Sequence, residues 1–260
     1  MANHELDAVE GRWIECPSFN NCLGACGGRL QLSSIPPGDP ARGARNPRVL
    51  LVTSSPDKKS AFEGKSYSGP TDGRIAALFT DPAYGLEIAP KSERPPDVGQ
   101  FLADHGIYRT SAVKCAVLGG DNGGGWPVIH ECRTRHLDQQ VAAMPNLGLI
   151  VPLGGVAIQS VMGLMQQPKV MRFVGSARAM VAKHPKYRVP VVCLPHPSPQ
   201  NPGFNAPPPM QVFNELPSFG GLQATPAGAG THMAKRGFRV ALDRLRLHLD
   251  SLGICQEPTQ

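Results

Sequence analysis

The chain has 260 residues, 41% apolar and 18% charged, a balance that supplies one substantial core and excludes a long disordered polyelectrolyte. A formal net charge of +6 favours an anionic partner, and seven cysteines in a chain whose first residues carry no export signal argue against a disulfide framework. No stretch reaches the ~18 consecutive apolar residues that span a bilayer, so the expectation is an intracellular, cytoplasmic protein with no membrane partner, acting as a monomer.

In chain order, residues 1–46 read as an N-terminal extension of a single domain that takes in all of 1–260. Four apolar runs rich in β-branched residues read as strands: Arg48–Thr53, Ser111–Cys115, Leu147–Leu153 and Arg188–Leu194. Helical spacing recurs between them at Gly73–Phe79, Asp97–Asp104, Val128–Met144 and Gly155–Met165. The alternation predicts an α/β fold, a three-layer α/β/α sandwich around a central, mainly parallel four-stranded sheet. A last helix, His232–Leu252, places Phe238, Leu242, Leu245, Leu249 and Leu252 on one face and Arg239, Arg244 and Arg246 elsewhere, so a basic side is expected in solvent. Prolines and glycines gather in Pro36–Pro47, Gly119–Pro127 and Pro197–Pro209, which predicts long, shaped loops there.

Cys16, Cys22 and Cys26 lie close together in the extension, while Cys115 ends an expected strand and Cys132 lies on the helix after a glycine-rich loop. Two distant cysteine pairs are what a four-thiolate site needs, and such a site takes either zinc or a cubane cluster. Spacing alone leaves a third possibility open, buried free thiols, which is also the reading for Cys193 and Cys255. The run Gly119–Gly125 is closed by no Lys-Ser or Lys-Thr pair, so no nucleotide cofactor is expected.

His196 lies just past the end of the last expected strand, where open α/β sheets collect their ligands. The segments VLLVTSSPDKKSAFEGKSYSG, YRTSAVKC, HECRTRHLDQQVAAMPNLGLIVPLGGVAIQSVMG and VVCLPHPSPQN stand in an order and spacing that resembles the iron–sulfur branch of the uracil-DNA glycosylase superfamily, families 4 and 5. The resemblance runs from about Cys16 to Asn201, and the approach PPGDPARGARNPRVLLV leans towards family 5.

The resemblance implies DNA as partner and a monofunctional glycosylase that flips a damaged base out of the stack before cleaving its N-glycosidic bond. It implies a [4Fe–4S] cluster on Cys22, Cys26, Cys115 and Cys132, with Cys16 a spare ligand, so that residues 1–46 would be a cluster-binding extension. It implies that Tyr67 stacks on the flipped base, that His196 stabilises the departing anion, and that Ser198, Pro199 and Asn201 form a loop pressing on the DNA. Two departures stand out. Ser54 and Ser55 occupy the places where relatives carry a carboxylate or amide, leaving Asp57 as first choice for the missing negative charge, ahead of Glu63 and Asp72. Ser111 replaces the asparagine that reads the uracil edge, which widens the expected substrates to hypoxanthine, xanthine or 5-hydroxymethyluracil. With both groups lost, a catalytically weak DNA-binding member of the same fold is the alternative. Neither covalent capture of the product nor strand cleavage is expected, because no basic histidine insert and no lysine placed as a Schiff-base nucleophile stands out.

Overall fold

Three strands set the centre of the molecule, two of them almost wholly apolar and the third carrying the buried polar residues Arg109, Thr110 and Ser111. Val49–Thr53 (β2), Ile107–Ser111 (β3) and Leu149–Pro152 (β5) are buried at every residue. Each buried aliphatic side chain in these strands contributes roughly 1.5–3 kcal/mol, which is why they are covered on both faces. The computed structural model describes residues 4–12, 15–66, 70–86, 88, 97–118, 124–174, 176–197 and 230–254.

β2 pairs in parallel with β3 and β5, in registers Thr53↔Ser111 and Val52↔Pro152, and β5 pairs in parallel with Val191–Val192 (β7). Met180–Val181 (β6) adds an antiparallel edge, giving the order β3-β2-β5-β7-β6. The expected four parallel strands are therefore present, with a fifth strand at the edge. One of them is displaced: β3 is Ile107–Ser111, and Ser111–Cys115 only begins on the strand, because residues 112–115 fold into a turn. A separate two-stranded ribbon joins Leu30–Gln31 (β1) to Ala116–Val117 (β4).

Helices surround the sheet, and several boundaries follow from capping. Asp57 caps Lys58–Glu63 (α3), and Asp97 caps Val98–Asp104 (α5), each carboxylate accepting from the first free amides. Pro70–Thr80 (α4) precedes a 3-10 turn at Pro82–Tyr84. The expected helix Val128–Met144 is observed as Trp126–Cys132 (α6) and Asp138–Ala142 (α7), with a π turn over Arg133–Leu137 between them. Gly155–Met162 (α8) stops at Gly163, and Val170–Val174 (α9) packs on the last helix, Gly230–Ser251 (α10).

The apolar face of α10 is buried through Phe238, Leu242, Leu245 and Leu249. Its basic side is not wholly in solvent. Arg239 is buried, donating to the Tyr84 carbonyl at 3.2 Å and to Asp243, and Arg246 donates to the Gly85 carbonyl at 3.2 Å. The cause is the end of the 3-10 turn, where carbonyls no longer bonded along a helix accept from guanidinium donors. Arg244 is exposed, as expected.

The N-terminal segment is tied together by internal ion pairs and meets β3 through Arg45. Its helices are His4–Gly11 (α1) and Phe19–Ala25 (α2). Glu10 on α1 is buried, paired with Arg42 at 3.1 Å, and burial raises its carboxyl pKa against the pull of that arginine. Arg45 pairs with Asp7 and lies 5.6 Å from the Tyr108 ring centre. No helix among the described residues is long and apolar enough to cross a membrane.

Candidate functional site

Because β2, β3, β5 and β7 run the same way, their C-terminal ends open on one edge of the sheet. Main-chain bonds extend the register beyond the strands: Ala112 N to Thr53 O at 2.8 Å, Val113 N to Ser54 O at 2.9 Å, Leu153 N to Val52 O at 2.8 Å and Gly154 N to Leu194 O at 2.8 Å. Ser54, Ser111 and Gly154 are therefore held along this edge by the ladder itself, and Ser55 and His196 follow it by one and two residues. Ligands of open parallel sheets bind at such edges.

His196 is half-buried and pressed against Gly154. A β-carbon on Gly154 would stand 2.7 Å from the His196 Cβ and 3.2 Å from its Cδ2, so only glycine admits the imidazole here. Gly154 has φ +87° and is the N-cap of α8, with no side chain capping the helix, so the ring stands beside amides that favour developing negative charge. The Gln167 side chain lies over the next residue, Gly155, and its amide is exposed beside the same helix start.

Ser54 and Ser55 are half-buried at the end of β2, whereas Ser111 is buried with its hydroxyl 3.4 Å from that of Thr53. Asp57 is exposed and works as a helix cap: its carboxylate accepts from the Ser60 amide at 2.9 Å and the Ser60 hydroxyl at 2.5 Å. The structure thus brings His196, Ser54, Ser55 and Ser111 to one edge and gives Asp57 a structural task at its margin. Tyr67, Ser198, Pro199 and Asn201 lie outside the described residues, and so does most of the glycine run 119–125.

A buried lysine that the sequence reading did not single out closes the turn after β3. Lys114 Nζ donates to Thr110 Oγ1 at 2.8 Å, Ser111 O at 2.5 Å and Gln140 Oε1 at 2.7 Å, so the ammonium has an acceptor for each proton. Burial pulls its pKa down to about 7, and the nearby Cys132 and Glu10 oppose that shift. Gln140 Oε1 also accepts from Thr110 Oγ1 at 3.0 Å, tying α7 to the strand end. Between Ser111 and Cys115, this cross-brace fixes a turn that leads from the sheet edge to the cysteines described next.

Five cysteines converge from three segments. Cys22 is on α2 and Cys26 caps its C-terminus, Cys115 ends the β3–β4 turn, Cys132 ends α6, and Cys16 precedes α2. The segments meet because β1 pairs with β4, α2 packs on α6, and the Ser18 hydroxyl donates to Glu131 at 2.5 Å. Cys22, Cys26, Cys115 and Cys132 are buried, and Cys16 lies 3.4 Å from His136 Nε2. Burial first and the neighbouring cysteines second raise the Cys115 thiol, whose neighbours are Cys132, Cys16, Cys22 and Cys26. Burial pushes Cys132 up to about 12, with Lys114 pulling the other way. Thiols that perturb one another in this way share one neighbourhood.

Among the described residues no group of three or more His, Cys, Asp or Glu closes around a single ion. A buried, all-sulfur donor set from separate segments is chemically suited to either zinc or a cubane cluster. A hollow at the opposite edge, lined by Arg45, Asn46, Arg48 and Gln100, is remote from these features.

The fold and site together define an α/β protein with a polar, histidine-bearing edge at the carboxyl ends of a parallel sheet. The profile of the uracil DNA glycosylase superfamily matches residues 40–216, more than half of the chain, and the chain belongs to that superfamily. No curated protein matches it.

Proposed function

We propose that the protein is a monofunctional DNA glycosylase that hydrolyses the N-glycosidic bond of uracil or a related deaminated or modified base after flipping it from the stack. The observation that carries this reading is His196, seated against Gly154 at the sheet edge of a chain belonging to the superfamily. From that seat a neutral imidazole donates to the pyrimidine carbonyl oxygen as negative charge builds on the leaving base, and the α8 amides lend the same sign of field. Ser54, at the end of β2, is proposed to position the attacking water, with Ser55 and Ser111 as hydroxyl partners to the base edge. Tyr67 is proposed to stack on the base, and Ser198, Pro199 and Asn201 to hold the DNA.

Cys22, Cys26, Cys115 and Cys132 are proposed to hold a [4Fe–4S] cluster, with Cys16 beside them. When bound, that group would cross-link the extension to the β3–β4 turn. Protein as isolated is expected to be brown, with broad absorbance near ~400 nm. The Cys115→Ser/Cys132→Ser protein is expected to be colourless, and a colourless wild-type protein that carries zinc refutes the assignment.

The test of activity is a panel of single- and double-stranded oligonucleotides carrying uracil, hypoxanthine, xanthine or 5-hydroxymethyluracil, scored for alkali-labile sites. His196→Ala is expected to lower the rate by ~10²–10³-fold, the cost of one preorganised donor. Equal rates for wild type and His196→Ala refute its role. The hydroxyls of Ser54 and Ser111, standing in for a carboxylate and an amide, favour a second reading, a DNA-binding member with little catalysis, and inactivity on the whole panel selects it.

A further inference from the structure

Helix α3 follows the serines of the sheet edge directly and is braced without help from its outer face. Asp57 caps its start, Ser34 N donates to the Ala61 carbonyl at 2.9 Å, and Ser66 N beyond it donates to Asp39 at 2.9 Å. Ser60 and Ala61 supply its buried side. Phe62 supplies none of this support: its side chain is 68% exposed, one of three large apolar residues in that state among the described residues. Lys58 and Lys59 stand four and three residues before it, one turn along the same helical face, and both are exposed. Lys65 is exposed in the turn that follows. The acidic neighbours offset little of this charge, since Asp57 is spent on Ser60 and Glu63 meets Lys59 only at 4.0 Å.

An uncovered aromatic ring flanked by ammonium groups, on the helix that follows the sheet-edge serines, matches the two parts of a single-strand binding surface, a stacking platform and a backbone-tracking charge. Duplex DNA offers the ring nothing, because its base faces are already covered by their neighbours. We propose that α3 binds the single-stranded DNA flanking the flipped nucleotide, with Phe62 stacking on an unpaired base and Lys58, Lys59 and Lys65 meeting its phosphates. The inference rests on the reading of the protein as one that acts on DNA, and it deepens that reading by assigning a strand preference and the residues behind it.

The test uses the full chain and fluorescence anisotropy with an undamaged, mixed-sequence 15-mer, single-stranded and as the duplex, so that no base release is needed. Phe62→Ala is expected to weaken single-strand binding by at least ~5-fold, the lower end for loss of one stacked base, and to change duplex binding less than that. Phe62→Tyr keeps the ring and is expected to restore the affinity. Lys58→Gln/Lys59→Gln is expected to reduce the slope of log affinity against log salt by about 1.4, two contacts at ~0.7 each on a single strand. Unchanged single-strand affinity in Phe62→Ala, or an equal loss on both DNA forms, overturns the inference. Wild-type protein that binds neither form overturns it together with the reading it rests on. Wild-type protein that binds single strands through Phe62 but releases no base supports the inference and removes the glycosylase activity alone.

Discussion

Replacing Gly154 by alanine moves the imidazole without altering a polar group. The new β-carbon would stand 2.7 Å from the His196 Cβ, whereas carbon atoms rest at ~3.5–4.0 Å, so the histidine has to retreat by roughly 1 Å. A displacement of that size at a reacting centre costs ~10²-fold in rate. The backbone at φ +87° and ψ 172° is in a region that is essentially glycine-only, which adds ~1–3 kcal/mol of strain to the folded state. Gly163→Ala is the matched control, because Gly163 at the other end of α8 also has positive φ, +68°, but its β-carbon would meet the Arg133 guanidinium rather than His196. Both variants are expected to melt several degrees below wild type in a thermal scan. Only Gly154→Ala is expected to lose the ~10²-fold in single-turnover base release, with its affinity for undamaged DNA unchanged. If the two variants release base at the same rate, the imidazole is not held by Gly154 in the way the geometry requires.

Three further outcomes follow from particular contacts. The His184 ring accepts from the Lys186 and Tyr187 amides at 3.2 Å each, and burial, with Arg133, lowers its pKa below 6.5 against the pull of Val161 and Asp138. Its neutral form contributes stability that is present above pH 6.5 and lost as pH falls through the lower folded value, since the unfolded chain takes the proton first. Urea titrations from pH 7 to 5 should show that slope together with the one from buried His136, and His184→Asn, whose carbonyl accepts the same bonds, should reduce it; an identical slope in the variant refutes the assignment. Lys114→Met removes the ammonium that satisfies the Ser111 carbonyl, with an expected loss of ~1–3 kcal/mol in urea unfolding, and a variant as stable as wild type means the three bonds contribute nothing net. Asp57→Ala is expected to cost ~1 kcal/mol as a lost helix cap, whereas Asp57→Asn keeps both stability and rate; a collapse of rate in Asp57→Asn would instead give that carboxylate the water-activating role.

The strands were legible because β2 and β5 are nearly unbroken apolar runs and β7 lies inside one, Val191–Leu194; the site edge was legible because Ser54 directly follows β2 and His196 lies two residues past that last run. β3 was misplaced by several residues, since the turn Ala112–Cys115 is as apolar as the strand and only the fold-back of Lys114 separates them. A lysine in that apolar stretch was the available signal. The π turn was also written in the sequence: the apolar positions Cys132 and Leu137 are five apart where an α-helix calls for three or four, and the wider turn is what brings both His136 and Leu137 inside. β1, β4 and β6 have two residues each, too short to carry a period. Gln140 and Gln167 had no local signature, because what gives them meaning is contact with Lys114 and with Gly155, across separations that no motif spans.

The fastening of the extension also dictates an order of events during synthesis. Ser18 reaches Glu131, Cys16 reaches His136 and Arg12 reaches Gln139, separations of 113, 120 and 127 residues. The first three cysteines leave the ribosome long before the helix they will face, and their docking waits until more than 113 further residues have been made. During that interval Cys16, Cys22 and Cys26 are open thiols on a tethered arm, which makes the nascent chain, rather than the finished protein, the form most exposed to oxidation.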